Sequence, residues 1–223
     1  MRRSILLALT VLLLLPATAL AGKKSLDSQL EKATEVLQEL GPKVTDRVRK
    51  DARCVSVLVI GKGGFIIGGT GGRGFLTCRA KGGSEWSAPV VLDVGGGSAG
   101  AQIGGAKLEV GMIFTDVDDI DEVATTTPVF RGTATATAGD HGAGVSAGGN
   151  PEAESGVITI SQSEGLYAGA TAEALVINPD EEETAKLLGS WTSLHKVLVK
   201  REVEVPQRAK AFVAAVTDWA AGR

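Results

Sequence analysis

The sequence has few of the side chains that build catalytic or metal sites. Its 223 residues include two His, two Cys, two Met and one Tyr, and aromatic residues make up 4% of the chain. Two isolated His and two Cys offer no spacing typical of a transition-metal site, so neither a metal nor a cofactor is expected. The formal net charge of −3 lacks the basic excess of a nucleic-acid-binding protein, so no nucleic-acid partner is expected.

Small residues are abundant instead. The chain contains 30 Gly, and its hydrophobic fraction of 43% is too high for a disordered protein. Glycine-rich strands pack with closely approaching backbones rather than around a core of bulky side chains. About two hundred residues are enough for one domain with its own core. Residues 22–223 are therefore interpreted as a single domain.

The first 21 residues match a cleavable signal peptide. Arg2 and Arg3 form a charged start, residues 5–15 form an apolar run that Pro16 closes, and residues 19–21 are a small-x-small cleavage site. The apolar run is shorter than the roughly 20 residues that span a bilayer, which makes an uncleaved anchor the weaker alternative. We expect a periplasmic or secreted protein, peripheral to a membrane.

The hydrophobic period changes twice along the chain. Apolar residues at helical spacing precede Gly41, and Pro42 marks the start of a short second helix. From Cys54 onward, β-branched runs indicate strands, and the glycine runs between them are predicted to be turns; helix starts return at Asp180 and Pro206. The pattern predicts an α+β fold: a central antiparallel β-sheet or barrel-like body with N-terminal and C-terminal helices packed on it. The strand-like runs are 54–60, 65–67, 75–78, 88–94, 100–103, 108–114, 133–137, 156–161 and 165–175.

Cys54 and Cys78 bracket two apolar runs and are a candidate disulfide. If these runs pair as a hairpin centred near Ile66, the two cysteines face each other near its open end, as bridge geometry requires. An oxidising compartment favours the bridge. Two buried free thiols are the alternative.

One motif has the form of a catalytic site. Residues 96–100 satisfy the G-x-S-x-G pattern of a hydrolase nucleophile elbow, and His141 and His195 are the available bases. An elbow requires a helix directly after the serine, whereas residues 101–105 are strand-like and interrupted by glycine. Catalysis by Ser98 is therefore a remote alternative, and no catalytic residue is proposed.

Two further patterns have the wrong context for ligand binding. The G-x-G-x-x-G run at 69–74 precedes a strand rather than the helix whose N-terminus would bind a pyrophosphate. The acidic run 116–122 lacks the turn glycine of a calcium-binding loop, and Ile120 occupies a would-be ligand position. No metal site is assigned to either segment.

A basic cluster surrounds the second helix in a chain that is otherwise acidic. Five basic residues outnumber Asp46 and Asp51 there, which leaves a local charge near +3. A basic face beside the apolar stripe of Val44 and Val48 is typical of a helix that binds an anionic bilayer surface. An ordinary solvated helix face is the alternative. The candidate lipid-binding residues are Lys43, Arg47, Arg49, Lys50 and Arg53, with Lys62 and Arg73 as secondary candidates.

Three segments carry a resemblance to a known family. The run GKGGFIIGGTGGRGFLTCR begins at Gly61, EWSAPVVLDVGGGSAGAQIGG begins at Glu85, and an apolar strand ending at Thr115-Asp116 follows. In this order and spacing they resemble the SYLF domain, also called the Ysc84 actin-binding domain. The similarity continues through residues 165–169 and 178–180, and it covers nearly the whole chain after the signal peptide.

The resemblance implies a non-enzymatic lipid-binding module whose N-terminal amphipathic segment contributes to binding anionic phospholipid. Eukaryotic relatives couple lipid binding to actin, but the signal peptide argues against actin and indicates an exported bacterial member. We expect binding of an anionic phospholipid, such as phosphatidylglycerol or cardiolipin, at the cell envelope. An envelope protein-interaction or scaffolding module, with a protein partner in place of lipid, is the alternative. Phe65 and Ile66 are expected in the core, because large apolar residues are more often buried.

Overall fold

The computed structural model describes residues 25–80, 82–115, 129–142 and 157–223. The signal peptide expected at 1–21 and the acidic run 116–122 lie outside the described residues. The helices are α1 (Leu26–Leu40), α2 (Asp46–Asp51), α3 (Glu181–Leu188) and α4 (Lys210–Ala220). The strands are β1 (Cys54–Cys78), β2 (Val90–Phe114), β3 (Val129–Gly142) and β4 (Val157–Pro179). Short 3-10 turns at Gly41–Lys43 and Gln207–Ala209 and a π-helical turn at His195–Val199 complete the elements.

The strands form one antiparallel sheet in the order β1-β2-β4-β3. Helices from both ends of the chain pack on this sheet, which confirms the predicted α+β class. Among the described residues β1 and β3 occupy opposite edges of the pairing order, so the sheet is open. The barrel-like closure that the sequence left as an alternative is therefore not the arrangement that forms.

The glycine runs lie inside long strands, whereas the sequence predicted turns there. β1 folds back on itself at Ile66, and its two arms lie against each other: the Arg79 amide donates to the Arg53 carbonyl at 2.8 Å just beyond the open end. A β-carbon on Gly72 or Gly74 would overlap the backbone of the opposite arm. Glycine at these positions therefore allows the close approach of two strand arms rather than ending a strand.

β2 and β4 follow the same bend around β1. Residues 103–114 of β2 pair with the first arm of β1, and residues 90–99 pair with the second arm. β4 pairs with β2 along its length, from Phe114↔Val157 to Leu92↔Pro179. The strands β1, β2 and β4 are thus nested, with their ends at one end of the sheet, which we call the base, and their bends at the other.

The helical elements among the described residues cover only the base. On one face α1 and α4 pack against alternate residues of β1, including Val55 and Val57. On the other face Leu58 and Ile60 join the π-helical turn through Val197 and Leu198. The period-two alternation of a strand explains this division into two cores. The glycine-rich half of the sheet extends beyond both cores.

The segment that joins α1 to the base differs from the prediction. Pro42 lies in the 3-10 turn, and Thr45 is an extended N-cap, so α2 begins at Asp46 rather than at Pro42. Val44 consequently precedes the helix, although it is buried and Val48 packs against the same core. The apolar stripe exists, but only Val48 belongs to α2.

Candidate functional site

The base of β1 is closed by a disulfide. Cys54 and Cys78 are bonded, with their Cα atoms 4.1 Å apart and both side chains buried. Ile66 lies at the bend midway between them, which is the hairpin that the sequence predicted. The structure has the bridge that the sequence favoured over two free thiols. The disulfide fixes the start of β1, where the chain passes from α2 into the sheet.

Arg79 ties α2 to this base. Its Nε donates to the Ala52 carbonyl at 2.8 Å, and Nη2 donates to the carbonyls of Arg49 at 3.1 Å and Lys50 at 2.8 Å. These are the last carbonyls of a six-residue helix, where a cation also interacts favourably with the helix dipole. The guanidinium lies 4.9 Å from the centroid of the Trp86 ring. Burial, with some repulsion from Arg53, lowers the pKa of Arg79 below its ordinary value.

The five primary candidates lie together on and around α2, and we call them the basic surface. Arg47 is 91% exposed in its side chain, and Lys50 is also exposed. Lys43 is exposed in the 3-10 turn, where its Nζ contacts the Gln162 side chain at 3.1 Å. Arg53 is half-buried and donates from Nε to the Arg79 carbonyl at 3.3 Å. Arg49 pairs with Asp46 and is 20% exposed.

Acidic neighbours reduce but do not cancel this charge. Arg49 holds the pKa of Asp46 below its ordinary value through a hydrogen bond and charge attraction. Arg47 lies 3.8 Å from Asp51, a solvated pair of little energetic value. Six basic residues, including Arg79, stand beside these two acids. The surface therefore stays positive on a protein whose net charge is negative.

The two secondary candidates are not part of the basic surface. Lys62 is 8% exposed within β1. Arg73 is bound in an ion-pair cluster, with Asp180 at 3.1 Å, Glu183 at 3.2 Å and Asp93 at 3.5 Å. Asp180 also caps α3 by accepting from the Glu183 amide. Arg73 thus fastens α3 to the sheet, and neither residue presents a cation beside α2.

A second exposed feature lies at the bend of the strands. Phe65 is 67% exposed, Ile66 58%, Ile67 75% and Ile103 60%. Phe65 and Ile103 are register partners on β1 and β2, so the four side chains share one end of the sheet. We call these four residues the apolar tip. The expectation that Phe65 and Ile66 are buried is wrong, because the helices cover only the base; Trp86, by contrast, is buried.

Ile66 adopts a backbone conformation that is rare for its residue type. Its φ is +65°, and the register with β2 shifts between Phe65 and Ile67. A β-branched residue in the left-handed region is strained, at a cost of order 1–3 kcal/mol. The hairpin holds this strain at its bend, where glycine or asparagine would be easier to accommodate.

The G-x-S-x-G segment has no elbow geometry. Ser98 lies inside β2, paired with Gly68 of β1 and Glu173 of β4. A nucleophile elbow needs a sharp strand-to-helix turn at the serine. The G-x-G-x-x-G run likewise lies inside β1.

His195 is in the π-helical turn. Within the described ranges no group of three or more His, Cys, Asp or Glu residues is arranged to hold a metal ion.

Two features of the site were not predicted from the sequence: the anchoring role of Arg79, and the grouping of four exposed side chains in the apolar tip. Arg79 directly follows the second cysteine and precedes Trp86, which is the only local signal for its anchoring role. Ile67 and Ile103 lie in glycine runs, and their exposure depends on what covers the sheet.

In the parts of the chain that the structure describes, no helix is both long and apolar enough to cross a membrane.

Comparison with known proteins places this fold in a family. The family model for Ysc84, described as a Las17-binding protein actin regulator, matches residues 95–219. That match covers more than half of the chain. The protein therefore belongs to the Ysc84 family, whose domain is the SYLF domain, and the resemblance seen in the sequence is confirmed.

Individual relatives are more distant and longer. The chain is 28% identical over 200 residues to protein YSC84 of Saccharomyces cerevisiae, covering 83% of this chain and 42% of that protein. It is 28% identical over 192 residues to the yeast LAS seventeen-binding protein 3, covering 80% and 41%. Identity to the SH3 domain-containing YSC84-like protein 1 of Rattus norvegicus is 25% over 198 residues, covering 84% and 57%.

The chain therefore spans about two fifths to three fifths of the length of these relatives. One of these names refers to binding and another to an SH3 domain. No solved structure matches the chain.

Proposed function

We propose that this protein is a non-enzymatic, peripheral phospholipid-binding protein that uses its basic surface to bind anionic headgroups. The observation that carries the proposal is the anchored α2, where basic residues gather on an otherwise acidic chain. Arg79 holds the end of the helix against the disulfide-closed base through three backbone carbonyls. Charges on a fixed element lose less conformational entropy when they bind a surface.

Arg47 and Lys50 are the residues on which the proposal depends most. Both are exposed, whereas Arg49 and Arg53 are partly buried. Lys43 adds charge from the turn before α2. Each basic residue close to anionic headgroups contributes about 1 kcal/mol, so these residues give salt-dependent binding of moderate strength.

Two features of the chain support an exported location. The signal-peptide pattern at residues 1–21 indicates export. The Cys54–Cys78 bridge is of the kind that persists in oxidising compartments. We therefore propose that the protein acts in the cell envelope, where phosphatidylglycerol and cardiolipin are suitable anionic ligands.

Vesicle flotation tests the proposal. The protein should float with phosphatidylglycerol vesicles at low salt, and its binding should fall as salt is raised. The double substitution Arg47→Glu and Lys50→Glu should weaken this binding at least tenfold. The matched control is Lys196→Glu with Lys200→Glu, the same charge change at two exposed positions, one in the π-helical turn and one directly after it, on the opposite face of the sheet. Equal loss in both double variants would show that net charge, rather than the basic surface, governs binding.

The family description favours a second candidate, a protein partner. The matched model describes a Las17-binding actin regulator, and the yeast relative is named for binding LAS seventeen. For an exported protein the corresponding role is an envelope interaction or scaffolding module. Cosedimentation with actin filaments tests the family's own partner: we expect no pelleting, and saturable pelleting would favour the protein-binding role over lipid.

A further inference from the structure

We infer that the apolar tip is a second membrane contact, which inserts into the hydrocarbon side of a lipid bilayer. It consists of Phe65, Ile66, Ile67 and Ile103, each more than half exposed. Isolated exposed apolar residues are normal, but four large ones together at the end of a projecting element mark an interaction site. The inference rests on the proposed membrane partner but uses a different surface.

The tip projects beyond both hydrophobic cores. The residues of β1 that join the two cores end at Ile60 on the first arm and resume at Phe75 on the second. Six residues of extended chain beyond Ile60 correspond to about 20 Å. The tip can therefore reach below the headgroups of a membrane without bringing the helices into contact with hydrocarbon.

The surrounding sheet is free of charge. No Asp, Glu, Lys or Arg occurs in residues 63–72 of β1, 94–106 of β2, 132–139 of β3 or 165–172 of β4. The strand register brings these four segments together around the bend. Charged side chains are costly in a bilayer, whereas a soluble protein surface normally carries them. An uncharged end with branched aliphatic and aromatic side chains fits lipid tails.

A bilayer suits the tip better than a second copy of the chain. The four side chains present on the order of 500 Å² of apolar surface, which is less than the ~800 Å² per partner buried in a standard stable interface. The backbone of the bend also keeps Ile66 at positive φ, a conformation that favours glycine.

The tip and the basic surface lie at opposite ends of β1. Twelve residues of strand separate Cys54 from Ile66, which corresponds to about 40 Å. The two contacts are therefore separable by mutation. The basic surface responds to headgroup charge and to salt, whereas the tip responds to neither.

A fluorescent reporter tests insertion directly. Phe65→Trp is made together with Trp191→Phe, which removes the exposed tryptophan and leaves Trp86 and Trp219 buried. We expect a blue shift of the emission on binding to phosphatidylglycerol–phosphatidylcholine vesicles, and quenching by lipids brominated on their acyl chains. Unchanged emission from vesicle-bound protein would overturn the inference while leaving the proposed function intact.

A partition measurement at high salt supplies the second arm. Ile67→Ser with Ile103→Ser should lower vesicle partitioning at least tenfold when electrostatic attraction is screened. The control is Ile158→Ser, an exposed apolar position at the base end of β4. Equal binding by the tip variant and the control would overturn the inference.

The remaining outcomes separate the two hypotheses. If Arg47→Glu with Lys50→Glu leaves vesicle binding unchanged while the tip reporter is quenched, lipid binding by the basic surface is wrong and insertion of the tip is supported. If the protein sediments as a dimer that Ile67→Ser with Ile103→Ser dissociates, the occupant of the tip is a second copy, which overturns the bilayer assignment.

Discussion

The guanidinium of Arg79 lies 4.9 Å from the centroid of the Trp86 ring, at the point where the disulfide-closed hairpin meets α2. The same guanidinium donates to three carbonyls at the end of α2. Trp86 is buried and its backbone bridges to Arg79, so the ring forms a fixed support for the cation. One side chain thus connects the sheet to the basic surface.

Arg79→Lys should loosen α2 although it keeps the charge. An ammonium cannot reproduce the planar fork that meets three carbonyls, and it stacks less well on an aromatic ring. We expect a loss of about 1–2 kcal/mol in the free energy of unfolding, and about 2–3 kcal/mol for Arg79→Gln. Urea denaturation measures both. Arg47→Gln, at an exposed position of α2, is the control and should change stability little; equal stability of Arg79→Lys and the parent protein would contradict the anchoring role.

Ile66→Asn should stabilise the fold. Asparagine tolerates the left-handed conformation that strains isoleucine, and the exposed side chain gives up little packing. We expect a gain of about 1 kcal/mol in the free energy of unfolding. Thermal denaturation compares this variant with Ile67→Asn, which lies outside the positive-φ position and should be near neutral. A destabilised Ile66→Asn would show that the bend tolerates isoleucine without strain.

Replacing Cys54 and Cys78 with serine should weaken the fold by about 3 kcal/mol, because the bridge restricts a loop of 24 residues in the unfolded chain. The melting temperature should fall, and treatment with a reductant should lower it in the parent protein but not in the double variant. Because the base also positions α2, amide exchange in residues 46–51 should accelerate. A melting temperature unaffected by reduction would argue against a stabilising role for the bridge.

The buried carboxylate of Glu109 predicts a particular pH dependence. Burial alone would raise its pKa, but hydrogen bonds from Lys107, Gln162 and Lys32 outweigh burial and hold the pKa at about 2. A carboxylate whose pKa is lower in the folded state contributes stability above its ordinary pKa of 4.5, and this contribution is lost as the pH falls toward about 2. Stability should therefore decline across that interval.

The variant Glu109→Gln isolates this effect. It should flatten the decline between about pH 4.5 and 2, at the cost of lower stability at neutral pH, because Lys107 and Lys32 each lose the buried one of their acidic partners. Chemical denaturation at several pH values measures both changes. Glu35→Gln is the control, since its side chain is 53% exposed in a surface pair with Lys32. An unchanged pH profile in Glu109→Gln would assign the acid sensitivity to other carboxylates.

The start of α3 and the hairpin were accessible to local reasoning. Asp180 caps α3 where the sequence placed a helix start, and Ile66 lies at the centre of the hairpin that joins Cys54 to Cys78. Capping chemistry and β-branched runs act within a few residues, so the linear sequence contains them. The prediction of turns at the glycine runs is wrong, because glycine serves both for turns and for the close approach of strands.

The sequence by itself determined the α+β class, the family, the position of the basic cluster and the cysteine pair, since each depends on residue type and spacing along the chain. Only the tertiary structure decided which of the basic residues are available and which large apolar residues are exposed. Arg73 is not available for lipid because it forms ion pairs with Asp180 and Glu183, which lie up to 110 positions away in the sequence. The apolar tip is exposed because the described helices pack only on the base. Burial and ion pairing depend on distant segments brought together by folding, which no local pattern contains.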